Sequence, residues 1–242
     1  MGAQSTGAGP PRPARVARVT EIPAALDAVD VPRPRPLLVL VGGAGGMDEA
    51  TRQVLAAVLR DVVVPCIERH GAAVVDGGTD SGVMRMVGQV RAERADGFAL
   101  VGVAAEGTVR VPGGGPVIDD AADPEPHHSH LVLVPGRAWG DESPWLAHVA
   151  DAIAGDRPSL TVVVNGGEIT YTDITQSIER GRPVVVLAGT GRTADAIAAA
   201  RNGQAADGRA AALAASPLTE VVAVGDAAAL RAAIDAILGG DR

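Results

Sequence analysis

Short runs that are apolar at almost every position recur along the chain at 37–41, 72–75, 98–103, 130–134, 160–164, 184–187 and 221–224. Strands buried on both faces of a parallel sheet have this character, because helices cover them from above and below. Segments with helical spacing lie between them. The stretch 48–69 sets Val54, Leu55, Val58, Leu59 and Val62 on one stripe, with Pro65 as a bend. Ser81 can cap a helix running to Arg94, and Ser143-Pro144 opens a helix over 145–153. Further helices are predicted over 170–180 and 193–202, and Asp226 caps a last one over 227–238. Strand and helix alternate, which predicts an α/β fold: a Rossmann-like, doubly wound, mostly parallel sheet with helices on both faces.

Residues 1–36 read differently. Prolines at 10, 11, 13, 23, 32, 34 and 36 repeatedly remove backbone donors, so this stretch is expected as a proline- and arginine-rich tail, with a short strand possible at 15–19. The single domain then covers 37–242. Within it, 104–129 is a long connection of the kind associated with function or disorder, with a small hairpin arm expected at 108–111.

Composition narrows the chemistry. Hydrophobic residues make up 47% of the 242 and aromatic residues only 2%, so the core must be built from Val, Leu, Ile and Ala. The formal charge is -8, and no basic stripe or set of stacking aromatics provides a nucleic-acid face. Every Lys-or-Arg position is Arg, which excludes a lysine Schiff base and a Walker-type lysine. The single Cys66 cannot form an internal disulfide and reads as a reduced core residue. No apolar run approaches the roughly 20 residues of a membrane helix, and no signal-peptide pattern opens the chain, so a cytoplasmic protein is expected. Helices exposed on such a sheet suit homo-oligomerisation, although no sequence feature sets an interface.

The candidate chemistry sits in glycine-rich turns that follow the apolar runs. A parallel sheet gathers such turns at the carboxyl ends of its strands, where backbone N–H groups and helix starts can hold an anion. In the first turn, Gly43 and Gly45 are candidates for contact with a ribose or an approaching backbone, with Asp48 as a nearby helix cap. The second offers Gly77, Gly78, Thr79 and Ser81 between Asp76 and Gly82. The third offers Gly166, Gly167 and Thr170, with Glu168 and Asp173 as carboxylates near the helix start. The fourth offers Gly189, Thr190, Gly191 and Arg192, the arginine being suited to pairing with phosphate. Each turn also has a plain reading as chain geometry or capping. His127-His128-Ser129-His130 lacks the further ligands of a tetrahedral zinc site, so no metal is expected; His130 or Ser129 is placed near the pocket instead. Trp139 and Trp145 can frame a base or simply pack.

The chain resembles the prokaryotic branch of the SLOG superfamily (the LSDAT type), which is related to the N-terminal cytosolic region of TRPM channels. The resemblance runs over 37–200 and rests on 39–46, 76–82, 101–104, 127–134, 162–167 and 184–194. The His-Ser-His-hydrophobic segment and the Gly-Thr-Gly-Arg-Thr-Ala-Asp turn are its distinctive parts. It implies a Rossmann-like fold that binds nucleotides or nucleotide-derived signals such as NAD or ADP-ribose. More distantly, the chain is similar to the LOG, or lysine-decarboxylase-like, phosphoribohydrolases, which cleave a base from a nucleoside monophosphate. Their PGGxGTxxE motif falls on residues 165–173 here. Asp173 keeps an acid one methylene shorter than the motif's glutamate, the proline and later glycine are replaced, and the arginine-bearing catalytic segment has no match.

Three functional expectations follow. The first is a sensor of a phosphorylated, nucleotide-derived small molecule, with no further cofactor. The second is an N-glycosidic hydrolase in which Glu168 or Asp173 assists water attack or stabilises the ribosyl cation. The third is a structural or protein-interaction module.

Overall fold

A computed structural model describes residues 13–43, 45–94 and 97–240. The first 12 residues of the expected tail, and Ala44 of the first glycine turn, lie outside that set. The strands are β1 (Ala14–Arg15), β2 (Leu37–Gly42), β3 (Ala73–Asp76), β4 (Leu100–Ala105), β5 (His130–Val134), β6 (Ser159–Val164), β7 (Val184–Ala188) and β8 (Thr219–Ala223). They form one sheet in the order β1-β5-β4-β3-β2-β6-β7-β8, and every pairing is parallel. The chain steps outward from β2 to β3, β4 and β5, then returns to the other side of β2 with β6, β7 and β8. The sheet therefore reverses its winding between β2 and β6, where doubly wound folds open a ligand crevice.

The two faces separate by residue parity, as a pleat requires. Leu37, Val39 and Val41 pack with α1 (Ile22–Ala28), α5 (Ser143–Ala154), α6 (Glu168–Glu179), α7 (Arg192–Arg201) and α8 (Gly208–Ala215). Leu38 and Leu40 pack with α2 (Glu49–Val58), α3 (Val64–His70), α4 (Gly82–Ala92) and α9 (Ala227–Leu238). The doubly wound architecture expected from the apolar runs is the one observed. Asp48 caps α2 by accepting from Thr51 N–H at 2.7 Å, and Asp226 caps α9 through Ala229 N–H at 3.0 Å. Buried Cys66 is a free thiol whose pKa burial pushes upward.

Several expectations need correction. Residues 13–36 do not behave as a tail. β1 pairs with β5, and Val16, Ile22, Leu26 and Val31 are buried in the core, so apolar anchors override the proline content. The helix expected over 48–69 is α2 and α3 joined by a π turn at Leu59–Val63. Pro65 lacks the N–H that an α ladder needs, and the wider π turn immediately before it accommodates the change. Val54, placed on the buried stripe by spacing, is 43% exposed. No hairpin arm forms at 108–111; Val109 makes a parallel bridge to Ala122 and buries itself against Leu131 and Leu133. The long connection thus covers the outer part of β4 and β5.

No helix among the described residues is long and apolar enough to cross a membrane.

Candidate functional site

A cavity of about 540 Å³ opens at the carboxyl ends of β2, β3 and β4, beside the start of α6. This volume lies within the range of small-molecule sites. Of the candidates from sequence, Gly77, Thr79, Ser81, Gly167, Glu168, Thr170, Asp173 and Arg192 line it. The fold therefore brings the second and third glycine turns and one residue of the fourth to a single place.

Arg192 is the first residue of α7 and adopts φ +51°, in the left-handed region that costs a side-chain-bearing residue about 1 kcal/mol. Its guanidinium reaches across to the first and third turns. A Cβ built on Gly45 would lie 3.0 Å from its Nη1, and one built on Gly167 would lie 3.0 Å from its Nη2. The Arg192 guanidinium makes no hydrogen bond or ion pair to another described residue, its charge acting on Glu168 only at longer range. A strained arginine at a helix start, with no ion pair among the described residues, offers charge and fork geometry to an incoming anion.

Glycine at the third turn is required by geometry. Gly166 sits at φ +95°, and a Cβ there would meet the Thr170 hydroxyl at 2.6 Å. Thr170 Oγ1 accepts from Gly167 N–H at 3.1 Å, closing the first turn of α6. Asn165 locks this turn to the fourth: its amide donates to the Thr190 carbonyl at 2.6 Å, and its N–H donates to Thr190 Oγ1 at 2.7 Å. The buried Thr190 hydroxyl also donates to the Leu187 carbonyl, so it joins two turns and is fully occupied. Gly189 N–H is taken by Asp195 at 2.6 Å. Gly189, Thr190 and Gly191 consequently shape the support beneath Arg192 and do not line the cavity. Gly43 N–H bonds to the Val164 carbonyl at 3.1 Å, placing it and Gly45 at the rim of the same support.

The two carboxylates expected near the helix start part company. Glu168 points outward and forms an ion pair with Arg209 at 2.7 Å, which lowers its pKa. Asp173 faces inward. Burial raises its pKa to about 7, the neighbouring Ser143 hydroxyl opposing the shift and the negative charge of Glu142 adding to it. Glu142, immediately before α5, lines the same cavity. Burial raises its pKa as well, against its own backbone N–H and that of Gly140, while Asp141 adds a like charge. Glu142 was not singled out from sequence. Its only signal there was an acid directly before the helix-opening Ser143-Pro144.

The second turn is held from behind by buried charge. Asp76 Oδ1 accepts from Gly78 N–H at 2.8 Å and from His128 Nε2 at 2.7 Å. His128 Nδ1 donates to Glu125 at 2.7 Å, and His127 bonds the same carboxylate through Nδ1 and its backbone N–H. Burial disfavours the His128 cation, but the charges of Asp76 and Glu125 raise its pKa to about 9. Burial likewise acts to raise the Glu125 pKa, and hydrogen bonds from both histidines reverse that effect and lower it. Gly88 of α4 makes room for this cluster, since a Cβ there would stand 2.2 Å from the Glu125 carboxylate. Among the described residues no group of three or more His, Cys, Asp or Glu is placed to hold a metal ion.

His130 lies elsewhere. It begins β5 and lines a different cavity of about 650 Å³ with Arg35, Arg91 and Arg94, beside residues that precede β3 and β4. That is the amino-terminal end of the sheet. Burial lowers its pKa and the Arg91 charge lowers it further. Ser129 beside it bonds the backbone of Leu100. His128 thus falls outside the strand, which starts only at His130. Trp139 does line the main cavity, its Nε1 donating to Asp120 at 3.1 Å, while Trp145 packs against the core.

Comparison with known proteins returns a consistent relationship. A family model described as "SLOG in TRPM, prokaryote" matches residues 35–233. Transient receptor potential cation channel subfamily M member 2 of Mus musculus is 28% identical over 200 residues, taking in 68% of this chain and 13% of the channel. The same channel of Rattus norvegicus is 27% identical with the same coverage. The chain therefore spans only a small part of the length of these relatives.

Proposed function

The chain belongs to the prokaryotic SLOG-in-TRPM family, and on that premise we propose that its main cavity binds a phosphorylated, nucleotide-derived small molecule such as NAD or ADP-ribose. The observation that carries this reading is Arg192: a cation whose side chain makes no hydrogen bond or ion pair among the described residues, held over Gly45 and Gly167 at the switch point of the sheet. The N-termini of α6 and α4, which begin just after the cavity-lining Gly167 and Ser81, add helix-start N–H groups from two sides. The phosphates belong at this end. Isothermal calorimetry of metal-free protein with NAD, ADP-ribose and AMP tests the reading. Saturable binding by at least one is expected, and its absence for all three overturns the proposal.

One observation favours a second reading, N-glycosidic hydrolysis. Both carboxylates named from sequence line the cavity, but Glu168 is exposed and paired with Arg209, whereas the raised pKa of Asp173 suits proton transfer near neutral pH. Free base and ribose phosphate released from a nucleoside monophosphate, and lost in Asp173→Asn, are the expected products. Nucleotide recovered unchanged after prolonged incubation leaves binding as the function.

A further inference from the structure

We infer that Glu142 and Asp173 form a two-carboxyl seat for the vicinal diol of a ribose, which makes the cavity select ribonucleotides over 2′-deoxyribonucleotides. The inference rests on the nucleotide reading of the same cavity and adds to it the group that decides the sugar. Its basis is the placement of two acids that come from different elements. Glu142 precedes α5, Asp173 lies in the second turn of α6, and both line one cavity. The Glu142 carboxylate is held in place by Gly140 N–H, which reaches its two oxygens at 3.2 and 3.0 Å.

Position along α6 separates this seat from the phosphate end. Asp173 is six residues beyond Gly167, a rise of about 9 Å at 1.5 Å per residue. Arg192 stands over Gly167. A ligand with its phosphate on Arg192 thus brings its uncharged sugar toward the acids, while the anionic part stays away from them.

The chemistry of the pair suits a diol. Burial raises the pKa of both acids, that of Asp173 to about 7, and the charge of Glu142 adds to the shift at Asp173. An ionised carboxylate only accepts hydrogen bonds, whereas a protonated one also donates. The two acids therefore present several acceptors and, while Asp173 is protonated, one donor, and each hydroxyl of a vicinal diol both donates and accepts. The other charged groups are engaged elsewhere. Asp141 accepts from the N–H groups of Arg137 and Ala138, Glu168 is paired with Arg209, and Arg192 is at the phosphate end.

A site built to hydrogen-bond a hydroxyl rejects the analogue that lacks it, because its own polar groups are then left unpaired. The test is calorimetry on the full chain with AMP and 2′-deoxy-AMP, repeated for Glu142→Gln and Asp173→Asn. Native protein is expected to prefer AMP by about tenfold or more. Both variants should bring the ratio toward one by weakening AMP while 2′-deoxy-AMP binds much as before. The native ratio should also fall as pH rises through neutrality and Asp173 loses its proton, the titration of the phosphate cancelling between the two probes. Equal native affinity for the two nucleotides overturns the diol seat and leaves the nucleotide reading standing. Variants that weaken both probes equally overturn it too, since a merely structural role has that signature. If AMP, NAD and ADP-ribose all fail to bind native protein, the nucleotide reading falls and the diol seat falls with it.

Discussion

His128 Nε2 lies 2.7 Å from Asp76 Oδ1, and both side chains are almost fully buried, 52 positions apart in the chain. The same Asp76 oxygen accepts from Gly78 N–H, so this ion pair ties the second glycine turn to the long connection between β4 and β5. Glu125 completes the cluster from the opposite side of the imidazole. A charge pair this deep is costly to assemble and more costly to break, because removing one member leaves the others buried and uncompensated.

The raised pKa of His128 has a definite sign for stability. Its folded value of about 9 lies above the ordinary 6.5, so the folded chain holds this proton more tightly than the unfolded chain. The resulting stabilisation is fully present below pH 6.5 and is lost as pH rises through 9; it is on the order of 3 kcal/mol. Urea denaturation across pH 6.5–9 should show the decline. His128→Gln should cost about 3–5 kcal/mol at pH 6.5 and flatten the slope. A native protein equally stable at both ends of the window contradicts the charged cluster.

Arg192 joins function to local strain. Replacing it with glycine removes the guanidinium and relieves the φ +51° backbone, while adding the entropic cost of glycine at a helix start. Those two backbone effects are each about 1 kcal/mol and opposite in sign. Arg192→Gly is therefore expected to leave the melting temperature within a few degrees while weakening nucleotide binding about 10- to 100-fold, the worth of a charge-assisted contact. Unchanged affinity in this variant would remove the phosphate from Arg192.

The sequence made the sheet legible because burial on both faces writes itself as unbroken apolar runs. Leu37–Gly42 and Ser159–Val164 are wholly or nearly wholly buried and were visible as such. The glycine turns were legible for the same reason: they follow those runs, and positive φ at Gly78 and Gly166 leaves few alternatives to glycine. Partnership across the chain was not legible. Nothing local distinguishes Glu168, which meets Arg209, from Asp173, which faces inward beside Glu142. The histidine segment was conspicuous, yet the decisive contacts of His128 are with Asp76 and Glu125, supplied by a strand end and a loop. The anchors Val16, just after β1, and Ile22 and Leu26 of α1 were hidden by the prolines around them.

Glu168 and Asp173 give opposite expectations on amide substitution. Glu168 is exposed and its pair with Arg209 is solvated, so Glu168→Gln should leave both binding and stability nearly unchanged. Asp173 has a folded pKa of about 7 against an ordinary 3.8, so ionising it opposes the fold. Its favourable proton linkage is fully present below 3.8 and lost as pH rises through 7. Above that pH, Asp173→Asn should stabilise the protein by on the order of 2 kcal/mol, fading as the pH is lowered toward 4. Denaturant midpoints at pH 4.5 and 8 check this, and a variant less stable than native at pH 8 contradicts the buried acid.

The close approach of the second turn to β4 predicts a large penalty at one glycine and a small one at another with similar backbone. Gly78 and Gly71 have φ +66° and φ +59°, so alanine at either meets left-handed strain of about 1 kcal/mol. At Gly71, the end of α3, the new Cβ finds nothing within 4 Å. At Gly78 it stands 2.7 Å from Gly102 Cα and 3.0 Å from Leu131 Cδ1, so the turn must lift from the sheet. That movement strains the Asp76–Gly78 hydrogen bond and the buried charges behind it. Gly71→Ala should therefore cost about 1 kcal/mol, and Gly78→Ala about 3 kcal/mol or more. Gly78→Ala should also weaken binding in the cavity that Gly77 and Thr79 line, whereas Gly71→Ala should not. Urea denaturation and calorimetry of the two variants provide the comparison. Equal costs would mean that backbone conformation alone keeps glycine at 78, and that the turn has room to move without disturbing the site.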